Sequence, residues 1–394
     1  MELRKHQADF LDKNPDRALL YWCMRAGKSL AAKLWIEHPR RNTAQVVVCK
    51  KSNKKEWKGY CPNATVLSKE EFKRDAHTID SCSAIIVDEA HHFAAPLFVP
   101  RERSALAESL YNFINQHDPH VLLLTGTPLT NKPASLHTLL CYIGHVFEWK
   151  LFRDKYYRLQ HLPFLPHPAW MPIRKWRHRA DRFLHKYADT VTLEECAPYL
   201  PPVTEEVIQV TPGKYPYAED EDESWVKDHR GEQYEKVKVL RELGEKYRKL
   251  IVVCKYIEQM EDLEKKLSKQ KPVYVLNGKT KDQEGTIKEA QEDPDCFLLV
   301  QAAMGEGYEG YMFDAMVFAS MDHRWINYQQ MYSRLVSLDH VKPRMYYFLL
   351  AKGARDTRSD DKRSWDRKIY RYVVEESRDF TAPTKKDINK GEGR

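Results

Sequence analysis

Nine short apolar runs, separated by stretches of helical periodicity, constrain what this chain can fold into. The first four are Ala18-Leu19-Leu20-Tyr21, Gln45-Val46-Val47-Val48, Ala84-Ile85-Ile86-Val87 and Val121-Leu122-Leu123-Leu124, with helix-like segments such as Lys28 to Glu37 and Ala105 to Gln116 between them. A strand apolar at nearly every position, rather than at every second one, is buried on both faces. Strands of that kind alternating with helices give a parallel, doubly wound α/β sheet. The pattern resumes beyond the acidic run Glu219 to Glu223. Helix-like Gln233 to Tyr247 leads to Leu250-Ile251-Val252-Val253, Pro272-Val273-Tyr274-Val275, Cys296 to Val300, Ala315-Met316-Val317-Phe318 and Met345 to Leu349.

A chain of 394 residues accommodates two such cores in tandem. The expected division is a first lobe over 1–210, a linker over 211–235, a second lobe over 236–380 and a polar tail over 381–394. The Pro-rich stretches Pro163 to Pro172 and Pro198 to Pro202 suggest that about 150–200 extends the first lobe with helices and turns.

No stretch approaches the ~20 apolar residues of a membrane-spanning helix, and Met1 to Gln7 lacks the apolar core of a secretory signal. A cytoplasmic protein without a membrane partner is expected. The eight cysteines are scattered without a CxxC pair, several within apolar runs, and read as reduced core residues. The pair His91-His92 has no further ligands at metal spacing. The net charge of +7 leans towards a polyanionic partner. Its distribution says more: residues 150–186 hold ten Lys and Arg against two Asp, interleaved with aromatic rings, as nucleic-acid surfaces are. Arg174 and Arg177 are the DNA-contact candidates there.

Three of the runs end in polar motifs. After the first comes Trp22-Cys23-Met24-Arg25-Ala26-Gly27-Lys28-Ser29, the ending of a phosphate loop at a helix start. Backbone N–H groups would cradle phosphates, Lys28 would reach the β and γ groups, and Ser29 would bind magnesium. The full GxxxxGK[ST] pattern is broken at Trp22. The third run ends in Asp88-Glu89-Ala90-His91, carboxylates at the crevice edge of a parallel sheet. Asp88 would hold Mg2+ through water, and Glu89 would orient and deprotonate the attacking water. The fourth runs into Thr125-Gly126-Thr127-Pro128, whose hydroxyls can sense a γ-phosphate.

Together these motifs resemble helicase superfamily 2, and within it the Swi/Snf-type DNA-dependent ATPases. Leu3-Arg4-Lys5-His6-Gln7 resembles the LRxxQ motif and Met24 to Ser29 the EMGLGKT loop. Val46 to Ser52 with Trp57 is similar to motif Ia, and Leu124 to Asn131 to LTGTPIQN. Leu250 to Tyr256 resembles motif IV, Asn277-Gly278-Lys279-Thr280 a strand-gripping loop, and Gln301 to Gly310 motif V. Trp325, Gln330 and Arg334 are similar to motif VI, and Lys342 to Gly353 follows the family's ending.

The resemblance implies two RecA-like lobes with the nucleotide cleft between them, ATP and Mg2+ as cofactors, and sequence-tolerant DNA as partner, with RNA less favoured and replication or repair proteins as possible company. It assigns ATP contacts to Gln7 (to adenine), Arg4, Arg25, Ala26, Gly27, Lys28, Ser29, Gly305, Glu306 and Gly307, and catalysis to Lys28, Asp88, Glu89, Gln330 and Arg334. DNA contacts fall to Lys50, Lys51, Ser52, Thr125, Asn131, Gly278, Lys279 and Thr280, and coupling to His91, Thr125 and Thr127. The family's second motif VI arginine is Ser337 here, with Arg324 and Arg344 as substitutes. The expected activity is a monomeric, DNA-stimulated ATPase that translocates on duplex or forked DNA, of the bare kind carried by bacteria or phages. The alternatives are a strand-separating helicase and a weakly hydrolysing, nucleotide-switched DNA-binding protein. A small-molecule kinase is a distant third.

Overall fold

A computed structural model of the chain describes residues 3–99, 103–127, 133–145, 147–161, 168–173, 176–210, 225–305, 308–322, 324–338, 340–351 and 365–375. They form two α/β units, dividing between Pro198 and Tyr199, each built on a six-stranded parallel sheet.

In the first unit the strands are β1 (Arg17–Trp22), β2 (Gln45–Cys49), β3 (Thr65–Ser68), β4 (Ala84–Val87), β5 (His120–Leu124) and β8 (Asp189–Val191), in the order β3-β2-β4-β5-β1-β8. Strands β2 and β4 are buried at every position, as their continuous apolar sequences predict for a sheet covered on both faces. Phe10, Trp22, Trp35, Val47, Ile86, Leu122 and Leu124 share one core cluster. Register aligns Leu20 with Leu124 and Val87 with Leu123. The segments following β1, β4 and β5 therefore leave the same sheet edge side by side. Two further strands, β6 (Tyr157–Gln160) and β7 (Ala169–Pro172), form a separate antiparallel hairpin.

The second unit carries β9 (Val203–Val210), β10 (Lys249–Cys254), β11 (Val273–Leu276), β12 (Cys296–Gln301), β13 (Ala315–Phe318) and β14 (Arg344–Ala351), in the order β11-β12-β10-β13-β14-β9. Its core gathers Leu240, Leu250, Val252, Leu263, Phe297, Leu299, Val317 and Leu349.

Two expected boundaries move. Residues 203–210, assigned to the first lobe, pair with β14 along its length and belong to the second sheet. As an edge strand whose residues are mostly partly or fully exposed, β9 keeps Glu205 and Glu206 at the rim, a device against edge-to-edge pairing, and its polar half hides it from an apolar-run reading. The linker expected over 211–235 is helical from Trp225, within the helix Trp225–Lys246; residues 211–224 lie outside the described residues, as does the expected tail 381–394.

Candidate functional site

The turn 23–27 joins β1 to the helix Lys28–Ile36 and passes through two left-handed residues, Arg25 (φ 68°) and Gly27 (φ 78°). Gly27 sits where its positive φ favours glycine, and a Cβ there would also displace the Gln7 side-chain amide. The start of the helix Lys5–Lys13 holds the turn. Arg4 Nη1 donates to Arg25 O (3.2 Å), a His6 ring nitrogen meets Ala26 O (2.8 Å), and Gln7 Nε2 donates to Gly27 O (3.1 Å). Because each trans peptide sets C=O and N–H on opposite sides, fixing the Ala26 and Gly27 carbonyls directs the N–H groups of Gly27 and Lys28 away from that helix. Gln7 departs from its expected adenine role. It is buried, its Oε1 accepts the Arg4 N–H (2.9 Å) at the start of its own helix, and its Nε2 holds the loop.

Trp22, where the loop pattern has glycine, ends β1 fully buried against Phe10, with its indole N–H donating to Asp189 Oδ1 (2.8 Å). It serves as a core residue. Lys28 Nζ folds back onto the carbonyls of Trp22 (3.0 Å) and Cys23 (3.1 Å). Burial pushes its pKa down, with Glu89 the strongest opposing charge.

Asp88 and Glu89 follow β4. Trp57 donates its indole N–H to Asp88 Oδ2 (3.0 Å), and the Asp88 Oδ1 accepts the Glu89 N–H (3.0 Å). Asn53 adds a side-chain hydrogen bond to the same carboxylate. Residues following β2 therefore support the carboxylate, a role that sequence reasoning missed because the contact spans two strands. Trp57→Phe keeps the buried ring and removes the N–H. Loss of an outer-shell partner typically costs ~10–100-fold in metal affinity, so any Mg2+ affinity that Asp88 gives the protein is expected to fall by that order. An unchanged Mg2+ titration would remove Trp57 from the site.

Burial, and then the Glu89 charge, push the Asp88 carboxyl from its ordinary 3.8 up to about 6. The folded protein thus holds this proton more tightly than the unfolded chain does. Ionised Asp88 costs stability above about pH 6, and the cost vanishes as pH falls below 3.8. A shift of this size corresponds to about 3 kcal/mol, which partial solvent access reduces to about 1 kcal/mol. Asp88→Asn is therefore expected to raise the melting temperature of the first unit by ~2–4 °C at pH 8, with the gain shrinking towards pH 4. Calorimetry at both pH values checks this. A half-buried carboxylate whose ionisation is penalised in this way suits a divalent cation, which would restore the compensation that water no longer gives.

Glu89 is itself left-handed (φ 49°), a strained setting for a non-glycine residue. Its Oε2 lies 3.3 Å from His91 Nδ1. His91 Nδ1 in turn lies 3.2 Å from Thr125 Oγ1 and 3.5 Å from Thr127 Oγ1, and Thr125 Oγ1 accepts the Thr127 N–H (3.0 Å). The three expected coupling residues thus form one chain from Glu89 to the segment after β5. Gly126 lies against the turn after β1: a Cβ there would meet Met24 Cγ at 3.1 Å. Thr125 is corrected as a DNA contact, because it is fully buried and its hydroxyl is engaged by His91 and Thr127. Asn131 lies outside the described residues.

Lys51 and Ser52 are exposed and Lys50 partly so, beyond β2 on the same edge. On the hairpin β6–β7, Leu159 and Trp170 are exposed, and the Arg153 guanidinium stacks 4.0 Å from the Trp170 ring centroid. Arg174 lies outside the described residues; Arg177 is in the helix Trp176–Tyr187, its side chain not described.

In the second unit, Asn277 Oδ1 accepts the Lys279 N–H (2.8 Å), Thr280 Oγ1 donates to Val275 O (3.0 Å), and Gln301 Oε1 accepts the Gly278 N–H (3.2 Å). The turn spends the Thr280 hydroxyl internally and leaves Lys279 exposed. Gly305 packs on the helix Trp325–Tyr332, where a Cβ would meet Met331 N at 3.2 Å. Gln330, expected to be catalytic, is buried on that helix. Arg334 Nη1 donates to Tyr308 O (2.9 Å) and its Nε to Gln330 O (3.2 Å). Glu306 and Gly307 lie outside the described residues.

Among the described residues no helix is long and apolar enough to cross a membrane, and no group of three or more His, Cys, Asp or Glu is arranged to hold a metal ion. Phosphate-linked Mg2+ needs no such cage, being held by one or two protein oxygens with substrate and water. No protein-family model matches the chain, and no curated protein matches it in sequence.

Proposed function

We propose that the chain is an ATP-hydrolysing motor of helicase superfamily 2, built from two RecA-like lobes, that moves along duplex or forked DNA. One observation carries the reading: a lysine-bearing phosphate turn, a carboxylate pair and a Glu–His–Thr chain leave one sheet edge side by side.

Lys28 exchanges its two carbonyl partners for the β- and γ-phosphates, and the Gly27 and Lys28 N–H groups meet phosphate at the helix start. Ser29 and Asp88 would supply the protein oxygens for Mg2+, which when bound would neutralise phosphate charge. Glu89 orients the attacking water and accepts its proton. His91 carries the change in Glu89 to Thr125 and Thr127, and so to the segment after β5. Lys50, Lys51 and Lys279 contact phosphates, which carry no sequence information, so DNA binding is salt-sensitive and sequence-tolerant.

The test is phosphate release titrated with single-stranded, duplex and forked DNA and with RNA. Stimulation by duplex or forked DNA is expected, and a rate indifferent to every nucleic acid would overturn the motor. Triplex displacement run beside strand displacement then separates duplex translocation from unwinding. Ser337 favours one further reading, a nucleotide-switched DNA-binding protein with little hydrolysis. Tight ATP binding with negligible phosphate release at saturating DNA would identify it.

A further inference from the structure

Six of the eight cysteines are buried, as a core role requires, whereas Cys23 and Cys196 are only partly so. Far apart in sequence, these two are brought together by the sheet. Trp22 pairs in register with Val191 of β8, and the Cys23 N–H donates to Val191 O (2.8 Å). One residue beyond β8, Thr192 caps the short helix Leu193–Cys196 through a reciprocal box with Glu195 (3.0 and 3.1 Å), and that single turn brings Cys196 back alongside the start of the phosphate loop. Both side chains pack against the first unit's core cluster, each is the strongest influence on the other's ionisation, and Arg4 adds its charge at Cys196. Arg4 is also the residue that grips the Arg25 carbonyl.

We propose that Cys23 and Cys196 form an oxidative modification site, in which peroxide closes a reversible disulfide that locks the phosphate loop to the segment after β8. Its formation needs only the thiol pair; its consequence for ATP rests on the function proposed above. The two sulfurs have unequal roles. The neighbouring Cys23, then His6 and Arg4, lower the Cys196 thiol, while its partner is driven up. Cys196 is thus the sulfur more disposed to ionise, and the thiolate is the form that reacts with peroxides.

In the first step the Cys196 thiolate attacks a peroxide oxygen. The S–O bond forms, the O–O bond breaks, and the departing hydroxide takes a proton to become water. Cys23 then attacks the Cys196 sulfur as a thiolate. The S–S bond forms, the S–O bond breaks, and hydroxide leaves as water with the proton given up by Cys23. In sum two thiols and one hydrogen peroxide become one disulfide and two waters. A dithiol reverses it by exchange, so in a reducing compartment the pair rests as thiols.

The consequence for the loop follows from what Cys23 does. Its carbonyl accepts Lys28 Nζ (3.1 Å) and the Ala26 N–H (3.3 Å), making it the anchor of the turn. Tying its side chain to Cys196 restrains the rearrangement by which Lys28 would leave that carbonyl for a phosphate. Misplacement of this order costs ~10–10²-fold.

The test treats the full reduced chain with hydrogen peroxide, blocks the remaining thiols, and maps disulfides by mass spectrometry under non-reducing conditions. A Cys23–Cys196 peptide is expected, with ATP affinity or phosphate release falling by that factor and recovering in dithiothreitol. Cys196→Ser, and Cys196→Ala as a second variant, should remain active after the same treatment. Peroxide that oxidises other cysteines but yields no Cys23–Cys196 peptide overturns the site. A peptide that forms without change in ATP affinity or turnover, or inactivation that persists in both variants, overturns its control of the loop. If the reduced chain binds no ATP, the proposed motor function fails, while the disulfide map still decides the modification site.

Discussion

Glu89→Gln is expected to lower DNA-stimulated phosphate release by ~10²–10⁴-fold, the usual worth of a positioned general base, while ATP still binds. Glutamine keeps the size and shape of the side chain and can still hydrogen-bond to water and to His91, but it cannot accept a proton. The backbone around it argues for a dedicated role. Glu89 sits at φ 49° in the turn after β4, a conformation that a non-glycine residue adopts at a cost and that surrounding structure must enforce. Holding it there sets its carboxylate 3.3 Å from His91 and near enough to Lys28 to oppose the burial of that ammonium. Single-turnover phosphate release beside equilibrium binding of a fluorescent ATP analogue separates chemistry from binding. A variant with unaltered release would show that Glu89 is not the base and would remove the centre of the proposed reaction.

The sheet edge that carries these groups was legible in the sequence because strands buried on both faces write themselves as unbroken apolar runs. All nine runs are strands, and the Lys28 and Ala105 helices start where expected. What was not legible is polar, short or distant. Strand β9 carries Glu205 and Glu206 at a rim, β8 is three residues long, and the hairpin β6–β7 lies in a Pro-rich stretch that suggested turns. Within the site, the strand-end residues could be named from their order, but their partners could not. That Trp57 holds Asp88, that Gln7 grips Gly27, and that Trp22 is core rather than loop are facts about neighbouring strands and about which face a side chain takes. Periodicity reports burial; it does not report who is next door.

That limit bears most on Arg334. Phosphoryl transfer needs a cation for the charge on the transferring group, and an arginine in that role is worth ~10³–10⁵ in rate. The resemblance offers Arg334, lacks its second arginine at Ser337, and leaves Arg324 and Arg344 as substitutes. Three of these four positions have definite employment. Ser337 Oγ accepts the His340 N–H (3.2 Å), closing a turn. Arg344 is 7% exposed at the start of β14 and donates to Pro201 O (2.7 Å), so it is part of the sheet's end. Arg324 is half exposed and paired with Asp322 at 2.7 Å. Arg334 follows the helix Trp325–Tyr332, and its own carbonyl accepts the Gly310 N–H (3.1 Å), which fixes its backbone. Its guanidinium is held by two neutral carbonyls, those of Tyr308 and Gln330. Charge-assisted bonds to phosphate are stronger than bonds to neutral acceptors, so a phosphate could replace the two carbonyl bonds of Arg334, whereas Arg324 is paired with a carboxylate and Arg344 is buried at the start of its strand. Arg334→Ala is accordingly expected to slow turnover by ~10³–10⁵-fold at saturating ATP and DNA. Arg334→Lys should recover little, since a point charge does not reproduce a planar fork. Arg324→Ala, measured alongside, should cost far less, and if it proves the more damaging of the two the role passes to Arg324. Turnover untouched by Arg334→Ala, by Arg324→Ala and by Arg344→Ala would mean that none of the three arginines acts on phosphate, and the motor reading would fall with it.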